Sequence, residues 1–104
     1  LVGEEAGGNG VMTGNRNSCF GSSACFALVG GTENLIAGYN ASWSTLNSGS
    51  YNVILGSGAG TFNSSSSIAI GAYAVPTASN QLILGGDSSG NGNITAVYIG
   101  QGEW

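Results

Sequence analysis

Charge is the scarcest feature of this 104-residue sequence, which has one basic residue, five acidic residues and no histidine, for a net charge of −4. Proteins bind nucleic acids largely through lysine and arginine contacts to phosphates, so this composition argues against a nucleic-acid partner, and we expect none. It also argues against binding to an acidic membrane surface. No apolar run approaches the ~20 residues that a membrane-spanning helix needs, so we expect no membrane insertion.

Residues that carry catalysis are equally sparse. Serine and threonine are common, but a chain without histidine and lysine lacks the base that usually activates them. Cleavage of glycans would need paired carboxylates, and no two acids take equivalent places in the repeats described below. The acids are Glu4, Glu5, Glu33, Asp87 and Glu103. We therefore expect no enzymatic activity, no cofactor and no metal site.

The sequence has two cysteines, Cys19 and Cys25, which are too few for a disulfide framework. They lie six residues apart and could close a small loop, a question that geometry decides. Alternatively, Cys19 is a small buried apolar residue, because it takes the place that Ile36 and Ile54 have in later repeats. That equivalence favours the second interpretation.

Glycine, by contrast, is abundant, with 20 residues, and it recurs at regular positions. A frame of Asn or Ser, three mostly apolar residues, Gly, two variable residues and Ala repeats along the chain, as in Asn52–Ala59. Its anchor glycines, spaced by 14 to 18 residues, are Gly3, Gly21, Gly38, Gly56, Gly71, Gly85 and Gly100. Repeats of this length predict stacked supersecondary units, here one short strand and its corner in each coil.

The apolar triplets before the anchors predict short strands. They are Ser18–Phe20, Leu35–Ala37, Val53–Leu55, Ile68–Ile70 and Leu82–Leu84. Side chains alternate along a strand, so the middle residue of each triplet points away from the outer two. Both directions are apolar, which is typical of a parallel sheet covered on both faces. The chain's own coil can cover one face, and the other predicts an oligomer. The polar stretches between copies are expected to hold a second strand and a return turn.

The two ends of the sequence differ from the middle. Residues 1–6 match the back half of a copy, which suggests a piece of a longer protein. We assign residues 1–85 to the repeat domain and residues 86–104 to a terminal cap or exit segment, since terminal repeats are usually atypical. Within that segment, Ile94–Ile99 predicts a strand that could form a hairpin with Leu82–Leu84.

The motif Ser67–Ala74 resembles the head repeat of the YadA-like trimeric autotransporter adhesins. Thr13–Asn17 leading into Gly21 resembles related repeats of phage tail fibres and bacterial surface proteins, and Ala96–Gly102 is similar to the segment where such repeats end. The resemblance implies a left-handed parallel β-roll assembled as a homotrimer. With the number of repeats counted above, the predicted fold is all-β, with about six coils. The first spacings, 17 or 18, exceed those of the adhesin head, which implies longer outer loops. Residues 86–104 do not match the head.

With three chains side by side, we expect the trimer interface at the middle residues Cys19, Ile36, Ile54 and Ala69. The resemblance implies a structural or adhesive segment of an extracellular fibre, on a bacterial surface or a virion, that contacts a host receptor or glycan. Candidate contacts are the aromatic residues Phe26, Trp43, Phe62 and Tyr73, which could instead pack on the coil exterior or across the trimer. The alternative function is a self-assembling filament subunit without a receptor.

Overall fold

A computed structural model of the chain describes residues 1–8, 12–43, 48–60, 63–86 and 90–100. Within these ranges it contains five strands of three residues each and no helix. They are β1 (Ser18–Phe20), β2 (Leu35–Ala37), β3 (Val53–Leu55), β4 (Ile68–Ile70) and β5 (Leu82–Leu84). Each strand coincides with one of the predicted triplets, so the predicted strands are confirmed.

The five strands form one parallel sheet in the order β1-β2-β3-β4-β5. Every pair is in register, so that the middle residues lie side by side along the sheet. Because sequence neighbours are also parallel neighbours, the chain makes one coil between each pair of strands, and about four turns of β-solenoid result. The predicted parallel β-solenoid is confirmed. The predicted count of about six coils is not confirmed. Before β1, the chain adds only an isolated parallel bridge between Val2 and Phe20 and no further strand among the described residues.

Four of the anchor glycines, Gly21, Gly38, Gly56 and Gly71, begin a tight corner that ends at a buried alanine. At Gly38 the backbone has φ of 138°, a region that favours glycine. A Cβ at this position would lie 2.5 Å from the carbonyl oxygen of Gly56 in the next coil, so the coils approach too closely for a side chain. The corner closes with a hydrogen bond of 3.2 Å from the N–H of Ala41 to the carbonyl of Gly38. The fixed Gly-to-Ala spacing is therefore the spacing of one turn.

The remainder of each coil consists of further corners. The residue directly before the Asn or Ser of the frame is left-handed, with φ of 57° at Glu33 and 61° at Tyr51. The N–H of Tyr51 donates to the carbonyl of Thr32 in the preceding coil at 3.0 Å, and later coils repeat this bond. Such corners satisfy their backbone groups from coil to coil without strand geometry. The prediction of a second strand in each coil is therefore wrong for the described residues.

A ladder of side-chain amides runs inside the solenoid beside the strands. The Oδ1 atom of buried Asn34 accepts the N–H of Asn52 at 2.9 Å, while its Nδ2 atom donates to the carbonyl of Gly49 at 2.9 Å. Asn17 and Asn52 make the same two bonds to the coils that follow them. The hydroxyl of Ser67 makes the two equivalent bonds at longer distances, donating to the carbonyl of Ala78 at 3.2 Å and accepting the N–H of Gln81 at 3.3 Å. This amide ladder joins neighbouring coils with buried hydrogen bonds.

The repeat ends after β5, where the chain turns away. Gly85 has φ of 66°, whereas the earlier anchors have values of 110° to 139°, and Gly86 is also left-handed at 67°. Two successive left-handed residues reverse the chain, so that Ile94 lies against Gly85, where a Cβ would be 2.6 Å from its Cγ1 atom. Gly92 lies directly against the carbonyl of Ala72, one coil earlier.

As a result, residues 93–99 form no strand and are exposed along their whole length. The predicted strand Ile94–Ile99 and its hairpin with Leu82–Leu84 are therefore wrong for a single chain. The physical reason is that the returning segment crosses the corner at Gly85 instead of running beside β5. The division of the chain at residues 85 and 86 stays a prediction.

Replacing Gly38 with alanine should destabilise the fold, because the new Cβ meets both an unfavourable φ and the backbone of the next coil. We expect a loss of roughly 2–4 kcal/mol in the free energy of unfolding, measured in urea. Gly30→Ala is the matched control, since its Cβ would have Thr13 Oγ1 at 3.9 Å as its only near neighbour. That variant should change stability by less than about 0.5 kcal/mol. Equal effects of the two substitutions would contradict the close approach of the coils.

Candidate functional site

The two faces of the sheet have opposite environments. The middle residues of β1 to β4 are 0% exposed in the single chain, and they are Cys19, Ile36, Ile54 and Ala69. They pack with the corner alanines into the core of the chain's own coil. A side chain that is fully buried within one chain has no surface to offer to another chain. The prediction that these four residues form the trimer interface is therefore wrong.

The outer two residues of each strand form the opposite face, which we call the apolar face. It consists of Ser18, Phe20, Leu35, Ala37, Val53, Leu55, Ile68, Ile70, Leu82 and Leu84. Six of the ten are large apolar side chains that are 37% to 59% exposed. Large contiguous apolar surfaces on proteins are often interaction sites, which makes this face the candidate functional site. None of the ten residues carries a charge, so nothing on this face has to be desolvated as an ion.

The residue before each triplet indicates which side chains point inward, which the apolar triplets alone do not show. Buried Asn34 precedes its triplet directly, and residues two apart on a strand share a face. Once the amide ladder is placed inside the coil, Ile36 must point inward as well, and Leu35 must point outward. The sequence therefore did not identify the outer residues as the exposed face, because both faces of the triplets are equally apolar.

The two cysteines form a disulfide, with their Cα atoms 6.0 Å apart. Both are also fully buried. The interpretation of Cys19 as a buried residue without a bond is therefore wrong, although its equivalence with Ile36 holds. The corner after Gly21 brings Cys25 back over the inward face of β1, at the position that Ser42 takes one coil later. Seven residues, including the anchor glycine, are closed into a covalent loop in the first coil.

No charged residue belongs to the apolar face. Arg16 pairs with Glu33 across two stacked corners, with side chains 77% and 37% exposed, and such an exposed pair contributes little to stability. Asp87 and Glu103 lie outside the described residues. The described ranges hold no group of three or more His, Cys, Asp or Glu residues that could bind a metal ion. In the same ranges, no helix is long and apolar enough to cross a membrane.

The candidate aromatic contacts are spread over the outer corners. Phe26 and Trp43 stack on each other, with ring centroids 6.0 Å apart and planes inclined by 24°. Trp43 remains half exposed, so one side of this pair is open. Tyr73 lies over Gly58 in the preceding coil, and 45% of its surface is exposed. Phe62 lies outside the described residues. The aromatic side chains are thus packed on the exterior of the coil and partly accessible.

Comparison with known proteins adds nothing to this geometry, because no family model, no curated protein and no solved structure matches the chain.

The disulfide should stabilise the first coil by closing a loop of seven residues, which is worth about 2 kcal/mol in a chain-entropy estimate. We expect the double variant Cys19→Ala/Cys25→Ala to lose at least this amount in urea unfolding. Dithiothreitol should destabilise the wild-type chain and leave the double variant unchanged, which is the internal control. A wild-type chain that is indifferent to the reductant, with its two thiols shown to be free by alkylation, would contradict the disulfide.

Proposed function

We propose that this chain is a structural segment of an extracellular trimeric fibre, in which copies pack against one another through the apolar face. The exposed apolar face is the observation that carries the proposal. Parallel sheets are normally covered on both faces, and the chain's own core covers one. Among the described residues, no helix is present to cover the other. A second protein surface is the remaining way to remove these side chains from water.

Copies of the same chain are the partner that the surface fits best. The face is a regular strip, about 20 Å along the stack and about 10 Å across, with aligned rows of similar side chains. Every copy has a net charge of −4, and the uncharged strip lets copies meet without bringing these charges together. The left-handed turn and the number three come from the resemblance to YadA-like heads, and the total of about six coils comes from the number of repeats. These three features are part of the proposal.

An extracellular location is supported by the disulfide. Disulfides form and persist mainly in secreted proteins and on cell or virion surfaces. The buried bond between Cys19 and Cys25 suits that environment. The proposed setting is a bacterial surface adhesin or a phage tail fibre. Within it, the half-exposed Trp43 and Tyr73 are candidate contacts for a host receptor or glycan, because aromatic rings suit both kinds of ligand.

A self-assembling filament is the second candidate. One observation favours it, since the outer edge of β5 pairs with no described strand and an open edge is a template for another chain. Electron microscopy of the purified chain distinguishes the two proposals. Short rods of one length support the fibre segment, and threads of indefinite length support the filament.

Substitution of Ile70 by aspartate should dissociate the proposed trimer, because it places a charge within the apolar face. In sedimentation equilibrium we expect about 31 kDa for the wild-type chain, three times the 10.2 kDa of one copy, and 10.2 kDa for Ile70→Asp. Circular dichroism should still report β-structure. Ser57→Asp, at an exposed corner off the face, is the control and should stay assembled. A wild-type chain that sediments as a folded monomer would refute the proposal.

A further inference from the structure

The C-terminal end of the sheet is incomplete in a single chain. β5 pairs with β4 on one side only, so the backbone groups on its outer edge are unpaired among the described residues. Its middle residue, Ile83, is only half buried, whereas the middle residues of β1 to β4 are fully buried. Within the described part of the chain, both the sheet and the core are therefore open at this end. An uncovered edge of this kind readily pairs with another strand.

The chain also contains a segment that lacks a partner of its own. Residues 94–99 are all exposed, and none of them makes a hydrogen bond within the part of the chain that the structure describes. Their sequence, Ile-Thr-Ala-Val-Tyr-Ile, is rich in residues that favour strands. Tyr98 is 87% exposed and Ile99 is 70% exposed, which is unusual for large apolar side chains. The segment therefore has the composition of a β-strand but pairs with no strand of the described chain.

The register of this segment matches that of β5. Val97 to Ile99 directly precede Gly100, as Leu82–Leu84 precede Gly85, fifteen residues earlier. Parallel pairing would place Val97 beside Leu82 and Ile99 beside Leu84, which extends both rows of the apolar face. Tyr98 would take the place next to Ile83 and cover the open end of the core.

The chain's own β5 is a poor partner for this pairing. Ile94 lies against Gly85, at the far end of β5 from Leu82. Three residues reach at most about 10 Å, which is the whole length of the strand. The chain would have to be fully extended as far as Val97 and then reverse at once, with no residue left for a turn. The β5 edge of a neighbouring copy imposes no such reversal.

We propose that residues 97–99 of one copy pair in parallel with β5 of a neighbouring copy, so that the last strand of each sheet is supplied by a partner. This inference rests on the proposed assembly through the apolar face. It also removes a difficulty of that assembly. A strip of about 20 Å by about 10 Å has a footprint of roughly 200 Å², well below the ~800 Å² per partner of a stable interface. Exchanged segments add the contact area that the face lacks.

Cysteine cross-linking between two different variants tests the exchange in the full chain. Leu82→Cys and Val97→Cys chains, one of them carrying a mass tag, are refolded together and oxidised. Both positions are more than half exposed, so the substitutions should not disturb folding. The two native cysteines are bonded to each other and do not compete. Leu35→Cys replaces Leu82→Cys in the control, since it occupies the same row on β2, three strands and roughly 14 Å away.

We expect a covalent heterodimer from Leu82→Cys with Val97→Cys, in at least tenfold excess over the control mixture. Sedimentation of the wild-type chain is measured in parallel to separate the two proposals. If the wild-type chain assembles and no heterodimer forms, the exchange is overturned while the fibre proposal stands. If the wild-type chain is monomeric, both are overturned. A double variant, Leu82→Cys/Val97→Cys, that cross-links only within one chain would also overturn the exchange.

Discussion

Close contact between neighbouring coils is the constraint on which the rest of the structure depends. At the anchor positions one coil touches the backbone of the next, so that only glycine fits. At the ladder positions a buried amide bonds two consecutive coils at once. These contacts hold strand, corner and ladder in register although the anchors are 14 to 18 residues apart. In sequence, the additional residues of the longer coils lie between the corner alanine and the ladder residue.

A coil this thin has consequences for the whole molecule. Each strand has three residues. The side chain of the middle one points into the core, and the other two point outward. The core is therefore narrow and consists of Leu28, Ile36, Ile54 and smaller side chains, supported by one disulfide. The outward residues are as apolar as the inward ones, and small chains with thin cores commonly depend on oligomerisation or covalent cross-links. Fold and proposed assembly thus follow from the same short repeat.

The strands and anchors could be predicted because a repeat records its register directly in the sequence, as Gly38 and Gly56 do. The direction of the side chains could not be read from the triplets, since Leu35 and Ile36 are equally apolar. The disulfide depends on where a corner returns Cys25, which spacing alone does not reveal. The prediction of a C-terminal strand was wrong for a different reason. The pattern before Gly100 continues the repeat, but the chain has already turned away at Gly85 and Gly86.

The amide ladder gives the most direct access to the central claim, that coils are held in register by contacts from one to the next. The backbone N–H groups of Asn34, Asn52 and Ser67 each donate to a ladder side chain of the preceding coil. Residue-resolved hydrogen exchange measures their protection. The account predicts that these three amides exchange as slowly as those of β2 and β3. Exchange at the rate of an unstructured peptide would contradict it.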